Sequence, residues 1–210
     1  MNTVLLHPCY FGPVSQFVAI AKAEKVIFEN EDNYQKQTYR NRQYIYGANG
    51  KLLLNIPIKH SGNKTQHQKY REVRIENDFD WQKQHWRSLQ TVYRTSPFFE
   101  FYEDEFEPLY CKKYEFLMDF NYDCLRTALE ALQLDLDYSK TSEFIMKPKE
   151  VVDARFLVKA KGRKEFSFEP YSQVFDTKFG YLNDLSVIDL IFNEGPNALN
   201  YLENQELELL

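Results

Sequence analysis

The chain has 210 residues and a net charge of −5, the wrong sign for a protein that neutralises many phosphates of duplex nucleic acid. Hydrophobic residues make up 43 %, with 17 Phe and 15 Tyr; this excludes disorder and provides a core that needs no metal or disulfide staple. Cys9, Cys111 and Cys124 lack zinc-ligand spacing, Met1 to Leu6 carries no signal peptide, and no apolar run nears the roughly 18 residues of a membrane span. Reduced thiols, a cytoplasmic location and no membrane insertion are therefore expected.

In chain order, Thr3 to Leu6 is a short apolar run that predicts a buried strand. His7-Pro8-Cys9-Tyr10-Phe11-Gly12-Pro13 cannot be regular, because two prolines and a glycine interrupt it. Phe17, Val18, Ile20 and Ala21 follow at helical spacing, and Lys25 to Phe28 is a second apolar run. Two strands joined through a helix predict a βαβ unit with parallel strands. A polar and basic stretch, Asn33 to Arg42, leads into strand-like segments at 43–46 and 52–58, and Asn49-Gly50 between them predicts a type I′ hairpin turn. Residues 59–70 read as a polar loop, and Val73 and Ile75 as one face of a half-buried strand.

The middle of the chain is helical. Asp78 or Asp80 can cap a helix with Trp81, His85, Leu89 and Val92 on one face, and Pro97 ends it. Glu100 to Glu107 reads as a solvated acidic face over an apolar underside. A second long helical pattern runs from about Cys111 to Leu132. Residues 159–165 are basic and contain Gly162, hence a loop. Asn183 can cap a last helix carrying Leu185, Ile188, Ile191 and Phe192, which stops at Gly195-Pro196. The expected fold class is α/β: an N-terminal βαβ unit with a small mixed or parallel sheet, followed by a largely helical C-terminal half. It is read as one domain over 1–210: α/β with a hairpin over 1–77, helical over 78–135, and mixed over 136–210.

Three segments can carry chemistry. His7 sits where the opening strand ends, the edge at which parallel sheets bind ligands, with Tyr10 close by; it reads either as an acid, base or phosphate ligand, or as a histidine bonded within a tight turn. Cys9 beside it has no identifiable activating base, and a buried thiol is the simpler account. In the second segment Lys36, Arg40 and Arg42, with Asn41 between them, form a local anion site in an acidic chain, or a solvated edge whose cations pair with Glu29, Glu31 and Asp32. In the third, Asn183 and Ser186 fit helix-start roles. Asp189 and Asn193 lie one turn apart and either face a ligand together or are simply exposed. His60 and His67 have no acidic metal partner in register, and His85 shares a core face with Trp81. No glycine-rich phosphate loop, dinucleotide fingerprint or nucleophile elbow is present.

Through these same segments the chain resembles the WbqC-like family. His7-Pro8-Cys9-Tyr10-Phe11-Gly12-Pro13 is similar to its His-Gln-Pro-x-Tyr-Phe-Pro turn, and Lys36, Asn41 and Arg42 match its lysine and Asn-Arg pair. The run from Asn183 to Pro196 is similar to its Asn-Leu-Ser-Ile-x-Asp-Leu-Leu-Phe-Asn-x-Gly-Pro signature, with one inserted residue. The acidic pair that longer members carry after the second strand is here Asn30-Glu31. Residues 147–181 hold no counterpart of their Ser-Gly-Pro-Gly-Gly segment.

The resemblance implies a role in bacterial surface polysaccharide biosynthesis, some relatives being linked to attaching an amino-acid or acyl group to an amino sugar. It therefore implies a transferase acting on a sugar nucleotide or another phosphorylated small molecule, and it names no cofactor. Lys36, Arg40, Asn41 and Arg42 would hold the ligand near Tyr10. His7 would serve as acid or base, and Asn183, Ser186, Asp189 and Asn193 would orient the acceptor. The alternatives are a non-catalytic ligand-binding or assembly protein of the same pathway and, less favoured by the charge, a single-stranded RNA binder using Tyr39 and Tyr44.

Overall fold

The computed structural model describes residues 3–59, 68–162 and 165–208. The predicted βαβ unit is present: strand β1 (Thr3–Leu6), helix α1 (Val14–Ala21) and strand β2 (Lys25–Phe28), with the strands parallel and Thr3 opposite Lys25. Val4, Leu6, Val26 and Phe28 share one face of the sheet and are fully buried, and Leu5 on the opposite face is buried as well, which is why the first run is continuously apolar. Helix α1 is buried over Val14 to Ile20, Ser15 and Gln16 included.

The Tyr44 region forms an antiparallel pair, β3 (Arg42–Gly47) with β4 (Gly50–Asn55). The expected type I′ turn is corrected here. Gly47 pairs with Gly50, so Ala48 and Asn49 are the central residues, neither has positive φ, and Gly50 takes φ 97° as the residue after the turn. A glycine after a two-residue turn supplies the local twist that a type I′ turn would otherwise provide.

Helices α2 (Trp81–Tyr93), α3 (Phe99–Cys111) and α4 (Leu117–Ala131) follow. The long pattern expected from Cys111 to Leu132 is thus broken at 112–116. The break has a cause. Ile75 N–H donates to the Glu115 carbonyl at 2.9 Å and Leu117 N–H to the Val73 carbonyl at 2.9 Å, drawing these residues into an extended bridge with 73–75. Val73 and Ile75 are buried as the alternation predicts, but they pair only through isolated bridges after a 3₁₀ turn at Tyr70–Glu72.

Two short strands, β5 (Tyr138–Lys140) and β6 (Val152–Asp153), complete a parallel sheet in the order β5-β2-β1-β6. Neither is visible in the sequence, being three and two residues long. A short helix α5 (Asp176–Phe179) precedes α6 (Val187–Glu194) and α7 (Ala198–Asn204). Helix α6 begins later than Asn183 predicts, with Ser186 in the cap position. Residues 185–187 pair with 12–14 instead: Val14 N–H donates to the Leu185 carbonyl and Val187 N–H to the Gly12 carbonyl, both at 2.9 Å. Asp184 Oδ1 accepts from Ser15 N–H at 2.8 Å, so the closing segment caps the first turn of α1 from 169 residues away.

The expected loops at 59–70 and 159–165 fall partly outside the described residues, which hold neither His60 nor His67. Among the described residues no helix is long and apolar enough to cross a membrane, and Cys9, Cys111 and Cys124 form no disulfide.

Candidate functional site

All four parallel strands leave the sheet at one edge, where Glu29 N–H bonds to the Leu6 carbonyl, Thr141 N–H to Phe28 and Ala154 N–H to Leu5. Two ionic clusters sit on that edge, the first buried and the second partly exposed. In the first, Arg40 is 0 % exposed and donates through Nη2 to Asp32 Oδ2 at 2.8 Å. The same Nη2 lies 3.0 and 3.3 Å from the two ring nitrogens of His7, which puts the guanidinium over the imidazole face rather than in line with one lone pair. Tyr70 covers the guanidinium, its ring centre 5.0 Å from Cζ. Tyr70 donates to the Pro8 carbonyl at 2.8 Å, and Asn121 holds both the Tyr70 hydroxyl and the Arg40 carbonyl.

His7 is buried, its Nε2 3.3 Å from Asp32 Oδ2 and its Nδ1 3.4 Å from the Glu29 carbonyl. Burial, followed by the Arg40 charge, lowers its pKa from 6.5 to about 4 against the opposing pull of Asp32. The ring is therefore neutral at pH 7. Burial pushes the Asp32 carboxyl up, but the hydrogen bond with His7 and the Arg40 guanidinium outweigh it and hold the carboxyl below its usual range. The second cluster joins the remaining strands. Glu29 accepts from Thr141 Oγ1 at 2.8 Å and lies 3.3 Å from Arg155 Nη1, which belongs to a guanidinium also paired with Asp153 at 2.7 Å. Sequence reasoning missed Arg155, Tyr70 and Asn121, since nothing in their spacing marks them as neighbours of His7.

Beside the first cluster lies an open cleft of about 650 Å³, lined by Tyr34, Lys36, Asn41, Arg42, Lys59 and Phe79 among others. Its floor is the strand exit Ile56-Pro57-Ile58, and Glu76 on its wall pairs with Lys59 at 3.7 Å. Asn41 is fixed there: its Nδ2 donates to the Ile56 carbonyl at 3.0 Å and to Asn55 Oδ1 at 3.2 Å, and its own carbonyl accepts from Ile56 N–H. Arg42 Nε has no hydrogen-bond partner among the described residues. Tyr34 connects the cleft to the buried cluster. Burial raises its hydroxyl pKa, while the charges of both Arg40 and Arg42 pull it down.

The sequence-predicted residues thus divide. Lys36, Asn41 and Arg42 share the cleft, and Arg40 and His7 meet in the cluster next to it. Tyr10 faces neither: its hydroxyl lies 3.0 Å from His85 Nδ1 and 3.1 Å from the Tyr110 hydroxyl, inside the helical core. Asn183 donates to the Phe166 carbonyl at a separate recess. Ser186 Oγ lies 2.8 Å from both the Phe11 carbonyl and the Gln43 amide, pinning the turn after His7. Phe11 has φ 41° there, a left-handed conformation that this contact helps hold. A Cβ on Gly12 would come within 1.9 Å of Gln16 Oε1, and Gln16 is the residue that donates to the His7 carbonyl.

Asp189 and Asn193 are expected either to face a ligand together or to be exposed; exposure is corrected, and neither residue lines the cleft. Asp189 is fully buried and accepts from Tyr93 at 2.6 Å, Tyr171 at 2.7 Å and Gln173 at 2.9 Å, and Asn193 bonds back to the Asp189 carbonyl. Burial pushes the Asp189 carboxyl up, since among the described residues no cation joins these donors. Among the described residues no three His, Cys, Asp or Glu side chains gather into a group able to hold a metal ion.

The model of the WbqC-like protein family matches residues 7–167, which span His7, both ionic clusters and the cleft. No curated protein and no solved structure matches the chain.

Proposed function

The chain belongs to the WbqC-like protein family, and on that premise we propose that the cleft beside Arg42 binds a phosphorylated small molecule during surface polysaccharide biosynthesis. The reaction that fits best is transfer of an acyl or aminoacyl group to an amino sugar nucleotide. One observation carries the reading. An acidic chain concentrates Lys36, Arg42 and Lys59 around a cleft that adjoins, through Tyr34, the Arg40 cluster at the exit of its parallel sheet. Arginine and lysine there bind phosphate oxygens through charge-assisted hydrogen bonds. Asn41, locked by its two bonds to 55–56, sets the wall against which the ligand is placed. The buried Arg40–Asp32 pair holds the segment that presents Lys36, Asn41 and Arg42, and the neutral His7 ring supplies a proton-accepting nitrogen beside it.

Thermal-shift screening of nucleotides, sugar nucleotides and inorganic pyrophosphate tests the reading. Stabilisation by at least one of these, lost in Arg42→Ala, is expected; no stabilisation by any of them refutes it. A second reading, ligand binding without turnover, is favoured by a specific feature: the His7 ring is only 3 % exposed. Incubation of an amino sugar nucleotide with activated acyl donors separates the two, since product formation excludes the second.

A further inference from the structure

The cleft carries a chemical feature that phosphate binding does not use. Phe79 lines it while remaining 65 % exposed, whereas Trp81, two residues on, is buried in the core. Its backbone is fixed, since the Phe79 carbonyl accepts from Trp81 N–H at 2.8 Å as α2 begins. An exposed aromatic face beside cations, in a cleft also lined by Tyr34, offers a stacking platform next to a phosphate-binding wall.

We propose that Phe79 selects the ligand by stacking on its nucleobase, so that the cleft takes a nucleoside diphosphate moiety rather than a bare phosphate or a simple sugar phosphate. This rests on the anion-binding reading of the same cleft. Its volume of about 650 Å³ lies within the range of small-molecule sites and has room for a base and a diphosphate together. Lys36 and Arg42 match the negative charge of the diphosphate, Lys59 being paired with Glu76. Glu76, already engaged by Lys59, sets a carboxylate on the wall that disfavours phosphate on its own side. The ligand therefore has one aromatic and one anionic end.

Isothermal titration of the full chain with ADP, UDP and inorganic pyrophosphate tests the assignment, with Phe79→Ala and Phe79→Trp as variants. Stacking of one base on an aromatic side chain corresponds to ~5- to 150-fold in affinity. At least one nucleoside diphosphate is expected to bind the wild type more tightly than pyrophosphate by a factor in that range. Phe79→Ala should remove the advantage and leave pyrophosphate affinity unchanged, and Phe79→Trp should restore it. Because the ring is exposed, neither variant should alter the melting temperature. Equal affinity for pyrophosphate and both nucleotides, or equal weakening of all three in Phe79→Ala, overturns the stacking role while leaving the anion site standing. Failure of all three ligands to bind removes the anion site, and the stacking role with it.

Discussion

Acidification should destabilise this protein through two buried histidines, His7 and His85. Burial lowers both His7 and His85 from 6.5 to about 4. A basic group with a depressed folded-state pKa favours the unfolded chain once that chain can protonate. Its contribution is therefore neutral above 6.5 and turns unfavourable as pH falls from 6.5 towards about 4. At about pH 5 the unfolded state is favoured by roughly 2 kcal/mol per histidine, rising to roughly 3 kcal/mol below pH 4. The two together account for a loss of about 4 kcal/mol between about pH 7 and pH 5, a large part of the stability of an ordinary domain.

Other groups do not mimic this effect. Asp32, Asp123 and Asp153 have lowered pKa values, so their stabilising contribution is lost only below the ordinary 3.8. Asp189 and Glu194 are raised by burial and gain stability on acidification, which opposes the histidines. Urea unfolding monitored by far-UV circular dichroism near both pH values supplies the measurement. His7→Gln and His85→Gln should each remove about half of the loss, whatever their effect on stability at pH 7. A pH dependence equally steep in both variants and in the wild type would refute the assignment of these rings as buried and neutral.

Asp32→Asn leaves the fully buried Arg40 guanidinium without its carboxylate and should cost about 3 kcal/mol, read as a fall in urea midpoint. Asp189→Asn should cost about 1–3 kcal/mol, because an amide nitrogen cannot accept from all of Tyr93, Tyr171 and Gln173; ligand affinity should not change, since Asp189 lies outside the cleft. Arg42→Ala should weaken nucleotide binding by roughly 10-fold or more, as a charge-assisted bond is lost, with little change in melting temperature.

The sequence by itself determined the local elements whose residues agree on one period. The βαβ opening was legible because Thr3 to Leu6 and Lys25 to Phe28 are continuously apolar and α1 repeats at helical spacing. The cleft residues Lys36, Asn41 and Arg42 were legible as a concentration of cations and amides in an acidic chain. Only the tertiary structure decided where helices start and stop when their ends bond to distant backbone. Leu117 begins α4 because 115–117 pair with 73–75, and α6 starts at Val187 because 185–187 pair with 12–14. It also decided which charges are buried. Arg40 and Arg42 are two residues apart and read alike in sequence, yet one lies fully buried against Asp32, His7 and Tyr70 while the other lines a cleft. Asp32 is only eight residues from Arg40 and was legible as a partner, but His7 is 33 residues away and Tyr70 lies beyond the hairpin, and no local pattern encodes their closing over one guanidinium and not the other.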